Sequence, residues 1–130
     1  MNEIKVGTTF EKEITVTKNL LAVNVGSGDV SVFATPMMLS LMEEVSAKCL
    51  AEFLDEGMTS VGTSITASHV AATPVGMKVK ACAQITTVEG KKVSFTITAS
   101  DEKGVIGEGT HNRFIVDREK FNQKALAKLS

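Results

Sequence analysis

Residues 32–44 read Val-Phe-Ala-Thr-Pro-Met-Met-Leu-Ser-Leu-Met-Glu-Glu, and they decide the fold because they open a long apolar helix. Thr35 followed by Pro36 is typical of a helix start, with a capping hydroxyl and then a proline at the first helical position. Gly57 is a typical stop signal. The sequence therefore predicts one helix from residue 35 to about residue 55, which would be about 30 Å long.

The apolar face of this helix is wider than a surface helix requires. When the residues are placed at about 100° intervals, one face carries Met38, Leu41, Met42, Val45, Cys49 and Phe53. Three more leucines extend the apolar arc beyond half of the circumference, namely Leu39, Leu50 and Leu54. We therefore expect the helix to be largely enclosed by a sheet and by a partner.

The same helical wheel separates two neighbouring carboxylates. Glu44 falls on the polar side, with Lys48 one turn further on, and predicts an ordinary exposed ion pair. Glu43 falls inside the apolar arc, among the three leucines. A carboxylate in that position finds partners, has a raised pKa, or lies at the border of the apolar arc and reaches water.

The rest of the chain reads mainly as strands. Four alternating segments follow the helix, at residues 59–72, 77–88, 92–100 and 105–116. Residues 8–17 predict a first strand, residues 24–31 a loop and residues 117–129 a short charged tail helix. Short turns between consecutive strands imply an antiparallel meander. The predicted architecture is α+β, a single domain over residues 1–130, in which a five-stranded antiparallel sheet wraps one long helix as in the hotdog fold.

One histidine lies on the apolar face of the first strand after the helix. His69 alternates in phase with Val61, Thr63, Ile65, Ala67 and Ala71, whereas the opposite phase carries Ser60, Gly62, Ser64, Thr66 and Ser68. Strict alternation therefore points His69 toward the helix and Gly62 away from it. A single histidine on an apolar face is more often a core residue than a catalyst, so both interpretations stay open.

Thr35 and Gly62 also have a structural and a functional interpretation. A threonine at a helix start needs no function, but its hydroxyl also lies where an acyl oxyanion would be stabilised. Thr35 and Glu43 would lie about 12 Å apart along the helix axis, so they can act together only through His69, at opposite ends of a substrate, or in an irregular helix. A glycine within a strand indicates a bulge, close packing, or an amide offered to a substrate oxygen.

The last strand carries four further candidates on one face, namely Gly107, Gly109, His111 and Arg113. The glycines leave room for a ligand or for the helix. The arginine could bind a phosphate, or it could simply be solvated at the strand end. Two isolated histidines and two isolated cysteines do not form a metal-binding pattern, and no phosphate-binding or dinucleotide-binding loop occurs.

Composition excludes several classes of partner. The net charge is −1 and no basic block is present, which argues against nucleic acid and anionic membranes. No apolar run approaches the roughly 20 residues that span a bilayer. Residues 1–5 are charged and predict no secretory signal, and Cys49 and Cys82 predict reduced core thiols. We therefore expect a cytoplasmic protein.

Together these motifs resemble the fluoroacetyl-CoA thioesterase family, a branch of the hotdog-fold acyl-CoA thioesterases. The resemblance extends over about residues 5–125 and is carried by residues 32–35, 41–43, 62–63, 69–74, 88–90, 107–113 and 119–122. Their joint spacing is specific, whereas each short piece alone is not.

The resemblance implies a set of roles. Thr35, Glu43 and His69 match the family's catalytic residues, Gly62 matches the glycine whose amide holds the thioester oxygen, and Arg113 matches an arginine near the CoA-binding region. It also implies a homodimer or dimer of dimers with sites at the protomer interface, an acyl-CoA substrate, and no cofactor other than the coenzyme A of that substrate.

The chain departs from the family at two places. Residues 24–30 lack the aromatic lid of the fluoroacetyl-specific enzymes, and Pro36 and Met37 replace a glycine and an aromatic residue. We therefore expect hydrolysis of a small acyl-CoA thioester without a commitment to fluorinated substrates. The alternatives are a non-catalytic module that binds acyl-CoA or another small ligand, and a hotdog dehydratase or hydratase, which would carry a differently placed Asp/His pair.

Overall fold

One antiparallel sheet around one long helix forms the structure, a computed structural model that describes residues 3–130. The elements are β1 Thr9–Thr15, α1 Ala22–Val25, α2 Thr35–Ala51, β2 Met58–His69, β3 Lys78–Glu89, β4 Lys92–Asp101, β5 Gly104–Asp117 and α3 Arg118–Leu126, with short 3-10 helices at Lys18–Leu20 and Ala127–Leu129. The predicted order of one long helix among five strands is confirmed. Residues 1 and 2 of the predicted domain lie outside the described residues.

The sheet order is β1-β3-β4-β5-β2, and every neighbouring pair is antiparallel. β3, β4 and β5 form a meander through tight turns, but the predicted meander of all four strands after the helix is wrong for β2, which does not pair with β3. β2 follows α2 and pairs with β5, so it forms one edge of the sheet over 12 residues. Within residues 3–130, no strand pairs with the other edge of β2, which leaves its backbone groups available to another chain.

The core lies between α2 and the inner face of the sheet. Its helical part comprises Met38, Leu41, Met42, Val45, Cys49 and Leu50, each at most 4% exposed. Two glycines of β5 let the helix approach closely: a Cβ on Gly107 would lie 2.7 Å from the sulfur of Met38, and one on Gly109 would lie 3.2 Å from that of Met42. The space left by these glycines is therefore filled by the helix.

The end of α2 and the start of the loop differ from the prediction. α2 ends at Ala51, and the amides of Phe53 and Leu54 donate to carbonyls only three residues back. The chain therefore tightens into turns before Gly57, which takes the left-handed conformation with φ +86°. The predicted loop at residues 24–31 begins inside the short helix α1.

The two cysteines differ in their surroundings. Cys49 is buried in the core as expected, and burial raises the pKa of its thiol to about 11. Cys82 is partly exposed, because it alternates with the buried Ala81 and Ala83 on β3. The prediction of a core thiol is therefore wrong for Cys82. Among the described residues, no helix has the length and apolar character needed to cross a membrane.

Candidate active site

Glu44 forms a surface ion-pair cluster. Its Oε2 accepts hydrogen bonds from Lys12 Nζ at 2.6 Å and from Lys48 Nζ at 2.7 Å, and these bonds, that of Lys12 foremost, lower the pKa of the carboxyl group. The pair with Lys48 was predicted from their spacing on the helix. Lys12 lies on β1, and its contribution depends on tertiary structure that the sequence pattern does not reveal. The carboxylate of Glu44 is thus engaged in ion pairs at the surface, away from the core.

Glu43, in contrast, faces the inner side of the sheet near its edge. Its side chain is 47% exposed, and Oε2 lies 3.9 Å from Arg113 Nη1. A Cβ on Gly62 would lie 2.9 Å from the same oxygen, closer than ordinary van der Waals contact. The carboxylate therefore reaches water and also finds a charged partner, which combines two of the alternatives that the sequence left open.

Arg113 is fixed by a set of buried contacts. It is 8% exposed, and its Nε donates to Ser60 Oγ at 2.8 Å while Nη2 donates to the Ser60 carbonyl at 2.9 Å. Nη1 contacts His111 Nε2 at 3.1 Å and faces Glu43. Burial lowers the pKa of Arg113, and Glu43 opposes that shift. The interpretation of a solvated arginine is therefore wrong, because the guanidinium is held inside the fold.

A bulge in β2 turns Gly62 toward this cluster. Gly62 pairs with Arg113 and Ser64 pairs with Asn112, so Thr63 is an extra residue on β2. Because a bulge interrupts the alternation of a strand, Gly62 and Ser60 join the same helix-facing side as His69. The prediction that Gly62 points away from the helix is wrong for this reason. The alternatives of a bulge and a close approach are both observed.

Thr35 contacts His69 at the beginning of α2. Thr35 is the first helical residue, Ala34 holds the N-cap position, and no side chain caps this helix end. The predicted capping role is therefore wrong. The Thr35 hydroxyl instead hydrogen-bonds His69 Nδ1 at 2.7 Å, which confirms that His69 points toward the helix.

The imidazole of His69 is enclosed on one side. The ring of buried Phe33 meets it edge-on, with centroids 6.4 Å apart and planes at 78°. Burial lowers the pKa of His69, and a backbone hydrogen bond with Ala71 opposes the shift. His69 Nε2 is buried and has no hydrogen-bond partner within residues 3–130. A neutral imidazole of this kind can accept a proton near neutral pH.

The predicted site residues thus form two groups. The first, here called the carboxylate cluster, comprises Glu43, Gly62, Arg113 and His111. The second is the Thr35–His69 pair. Gly62 and His69 lie about 20 Å apart along extended β2, so one protomer does not join the two groups. His111 had no predicted role, and its shared strand face with Arg113 was the only signal in the sequence.

A cavity of about 330 Å³ opens beside the Thr35–His69 pair. Its lining is largely small and apolar and includes Ala22, Gly28, Val30, Val32, Phe33, Ala71 and Ala72. Among residues 3–130, no three side chains of the His, Cys, Asp and Glu types come together as a metal site. The two groups of site residues offer a carboxylate, an imidazole, a hydroxyl and a guanidinium.

Comparisons with known proteins place these residues in a family. Residues 16–119 match the family described as fluoroacetyl-CoA-specific thioesterase. The fluoroacetyl-CoA thioesterase of Streptantibioticus cattleyicolor is 42% identical over 97 residues, which covers 75% of this chain and 70% of that protein.

Solved structures agree on the fold. That of the fluoroacetyl-CoA thioesterase FlK has a TM-score of 0.92 at 34% identity, with 98% of each chain covered. A Thermus thermophilus thioesterase superfamily member has a TM-score of 0.90 at 30% identity, with 99% of this chain and 95% of that chain covered. The chain therefore has the hotdog fold and belongs to the fluoroacetyl-CoA-specific thioesterase family.

Proposed function

We propose that the protein hydrolyses the thioester of a small acyl-CoA to a free acid and coenzyme A. The observation that carries this proposal is the half-exposed Glu43 carboxylate, held against the backbone of Gly62 and beside the buried guanidinium of Arg113. A carboxylate placed between a close backbone approach and a cation is suited to attack on a carbonyl that it meets at that point. The activity named for the family's relatives agrees with this chemistry.

In this mechanism Glu43 acts either as general base on water or as nucleophile through a transient anhydride. In the first case, Glu43 takes a proton from water, the hydroxide oxygen bonds to the thioester carbon, and the collapse of the tetrahedral intermediate breaks the C–S bond. The coenzyme A thiolate leaves and takes up the proton. The Gly62 N–H polarises the carbonyl oxygen, and Arg113 Nη1 lies where it can contact the acyl group or its oxygen.

His69 and Thr35 would serve the same reaction center. The neutral imidazole shuttles the proton toward the leaving thiolate, and the Thr35 hydroxyl holds the imidazole or positions water or the acyl oxygen. Their separation from the carboxylate cluster within one protomer requires that a second protomer supply the missing group.

A homodimer through the free edge of β2 would supply it. Ile65 and Ala67 face the helix, because they pair with His111 and Gly109. Antiparallel pairing of β2 with its copy, centred on Thr66, would set Ile65 opposite Ala67 of the partner subunit. His69 of the partner subunit would then lie opposite the bulge at Gly62 and Thr63. Each dimer would thereby contain two composite sites on a continuous sheet; a dimer of dimers would repeat this unit.

The cavity beside His69 would receive the acyl chain at the composite site. Its small apolar lining suits a short hydrocarbon chain, and residues 24–30 place no aromatic ring over it. Free thiols at Cys49 and Cys82 agree with a reducing cytoplasmic location.

Thiol release from a panel of short, branched, aromatic and halogenated acyl-CoAs tests the activity. We expect hydrolysis by the wild type, a loss of about 10³-fold in kcat/KM for Glu43→Gln, and near wild-type rates for the neighbouring control Glu44→Gln. Saturable acyl-CoA binding without thiol release would instead indicate a binding module. Water addition to an enoyl-CoA would indicate a hydratase.

Mixing two inactive variants tests the composite site. A dimer of Glu43→Gln and His69→Ala chains would contain one doubly altered site and one intact site. After unfolding and refolding an equal mixture, we expect about a quarter of the wild-type activity from statistical dimer assembly. If the mixture stays as inactive as either variant while mass spectrometry shows mixed dimers, the site does not span the two protomers.

A further inference from the structure

His111 is the buried member of the carboxylate cluster to which no role is assigned. It is 2% exposed, lies on β5 two residues before Arg113, and its ring is tilted by 31° over that of Phe95 at 6.1 Å. A Cβ on Gly62 would lie 3.0 Å from its Cε1. The imidazole therefore forms the floor of the space in which Glu43, Gly62 and Arg113 meet.

The two hydrogen bonds of His111 fix its protonation state. Nδ1 lies 2.8 Å from the carbonyl oxygen of Ser64, which can only accept, so Nδ1 carries the proton. Nε2 lies 3.1 Å from Arg113 Nη1, which can only donate, so Nε2 must be unprotonated. Both contacts are satisfied together by the neutral Nδ1–H tautomer alone.

The neutral tautomer of His111 accepts the third hydrogen bond that holds the guanidinium of Arg113. Ser60 holds Nε and Nη2, whereas His111 is the protein acceptor for Nη1, the nitrogen that faces Glu43 at 3.9 Å. We propose that His111 is a positioning residue of the thioester-hydrolysing site, which as a neutral acceptor aims Arg113 Nη1 at Glu43 and releases it when protonated. This inference rests on the proposed function.

Burial, more than charge, opposes protonation of His111. The groups that face His111 are the Ser64 carbonyl on β2, Phe95 on β4, Arg113 on β5 and Glu43 on α2. Burial is the largest influence and lowers the pKa of His111, Arg113 lowers it further, and the Ser64 carbonyl and Glu43 act in the other direction. A protonated ring would direct an N–H and a positive charge at the guanidinium, although both groups are largely buried.

A matched pair of substitutions separates the two hydrogen bonds. In His111→Gln, the side-chain oxygen can replace Nε2 as acceptor for Arg113 and cannot be protonated. In His111→Asn, the shorter amide can still donate to Ser64 but does not reach Arg113. We expect His111→Asn to lose about 10- to 100-fold in kcat/KM, the effect of losing a hydrogen bond to a charged group. We expect His111→Gln to stay within about threefold of the wild-type kcat/KM above pH 7. At lower pH, where protonation of His111 reduces the kcat/KM of the wild type, this variant should lose less activity.

Arg113→Lys shows whether His111 acts through the arginine. If it does, the double variant Arg113→Lys/His111→Asn is no slower than Arg113→Lys alone. Additive losses would overturn the proposal, as would wild-type kcat/KM in His111→Asn, or equal losses in the two His111 variants. Should His111→Asn fail to fold, the pH profile of His111→Gln decides: a decline of kcat/KM in acid identical to that of the wild type would overturn the proposal.

Nitrogen NMR of the wild-type histidines provides a readout that does not need activity. We expect the His111 Nδ1–H tautomer at pH 7.5, and a protonated or Nε2–H ring would overturn the proposal. If the wild type hydrolyses no thioester, the proposed function fails and the role of His111 in it fails as well. If the wild type is active and Glu43→Gln is not, but His111→Asn is unaffected, the role of His111 fails alone.

Discussion

The carboxylate cluster and the Thr35–His69 pair differ in how the fold holds them. Arg113 is buried and bound through Ser60 and His111, so the first group is built into the sheet. The second group joins an exposed threonine to a strand-end histidine, which also contacts the Ala71 backbone and the ring of Phe33. The difference indicates that the guanidinium is held rigidly inside the sheet, whereas the Thr35–His69 pair lies at the surface beside an open cavity.

After the loss of Glu43 or His69 itself, the largest expected effect comes from filling the space at Gly62. In Gly62→Ala the new methyl group would lie 2.9 Å from the Glu43 carboxylate, which is the flexible end of a half-exposed side chain, and 3.0 Å from Cε1 of buried His111. We therefore expect a loss of about 10²-fold in kcat, as for a misplacement of about 1 Å, with a smaller loss of stability than a clash with the backbone would cause.

Gly107→Ala is the matched control for that variant. Its methyl group would lie 2.6 Å from the backbone carbonyl of Ser68 and 2.7 Å from the Met38 sulfur, neither of which is a free side-chain end. We expect a loss of about 1–3 kcal/mol in the free energy of unfolding. Denaturant titration and steady-state kinetics on both variants check the contrast. Equal losses of stability would show that Gly62 serves packing only.

Thr35 offers a smaller effect on the other group. Thr35→Val removes the hydroxyl that meets His69 Nδ1, whereas Thr35→Ser keeps it. Because no side chain caps α2, the valine variant should retain its helix. We expect about a tenfold loss in kcat/KM for the valine variant and near wild-type kinetics for the serine variant. Equal activity of the two variants would contradict a role for the hydroxyl.

Stability should fall in mild acid because of one histidine from each group. The pKa values of His69 and His111 are both lowered in the folded protein, chiefly by burial. Below the ordinary histidine pKa of about 6.5, the unfolded chain therefore binds more protons than the folded one. The free energy of unfolding should decrease as pH falls through that value and reach its plateau above it. Chemical denaturation between pH 5 and 8 measures the slope, and His111→Gln should reduce it. A slope unchanged by that substitution would contradict the His111 contribution.

The smallest effect is expected outside both groups. Glu44→Gln removes two surface ion pairs, with Lys12 and Lys48, and should change the free energy of unfolding by less than about 1 kcal/mol. The free energy of unfolding of this variant should depend less on salt concentration than that of the wild type. A loss of hydrolysis in this variant would break the distinction between the two adjacent glutamates.

Much of the fold follows from local signals. Pro36 marked the start of the helix, and the alternation in residues 79–85 and 93–99 marked two strands. The helical wheel also separated Glu43 from Glu44, because helix geometry depends on spacing alone. The end of α2 was less predictable, since tight turns after Ala51 take the place of a last helical turn.

The site was less accessible from sequence because its contacts are tertiary. The bulge at Thr63 arises from pairing with β5, so strict alternation misplaced Gly62. Arg113 on β5 is held in its buried position by hydrogen bonds to Ser60 on the neighbouring strand β2. The Thr35 hydroxyl hydrogen-bonds His69 and does not cap its own helix. The core position predicted for Cys82 was wrong because it rested on the residue type alone. The alternation of β3, in which Ala81 and Ala83 face the core, would have placed Cys82 on the opposite face.

The extra residue at position 63 divides β2 into two stretches of opposite phase. On the His69 side, odd-numbered residues face the helix, and on the Gly62 side, even-numbered residues do. If β2 instead paired with β5 regularly through Thr63, one of the two stretches would present its side chains to the other face of the sheet. One surplus residue thus lets both Gly62 and His69 face the helix, although its own side chain takes no part in the carboxylate cluster.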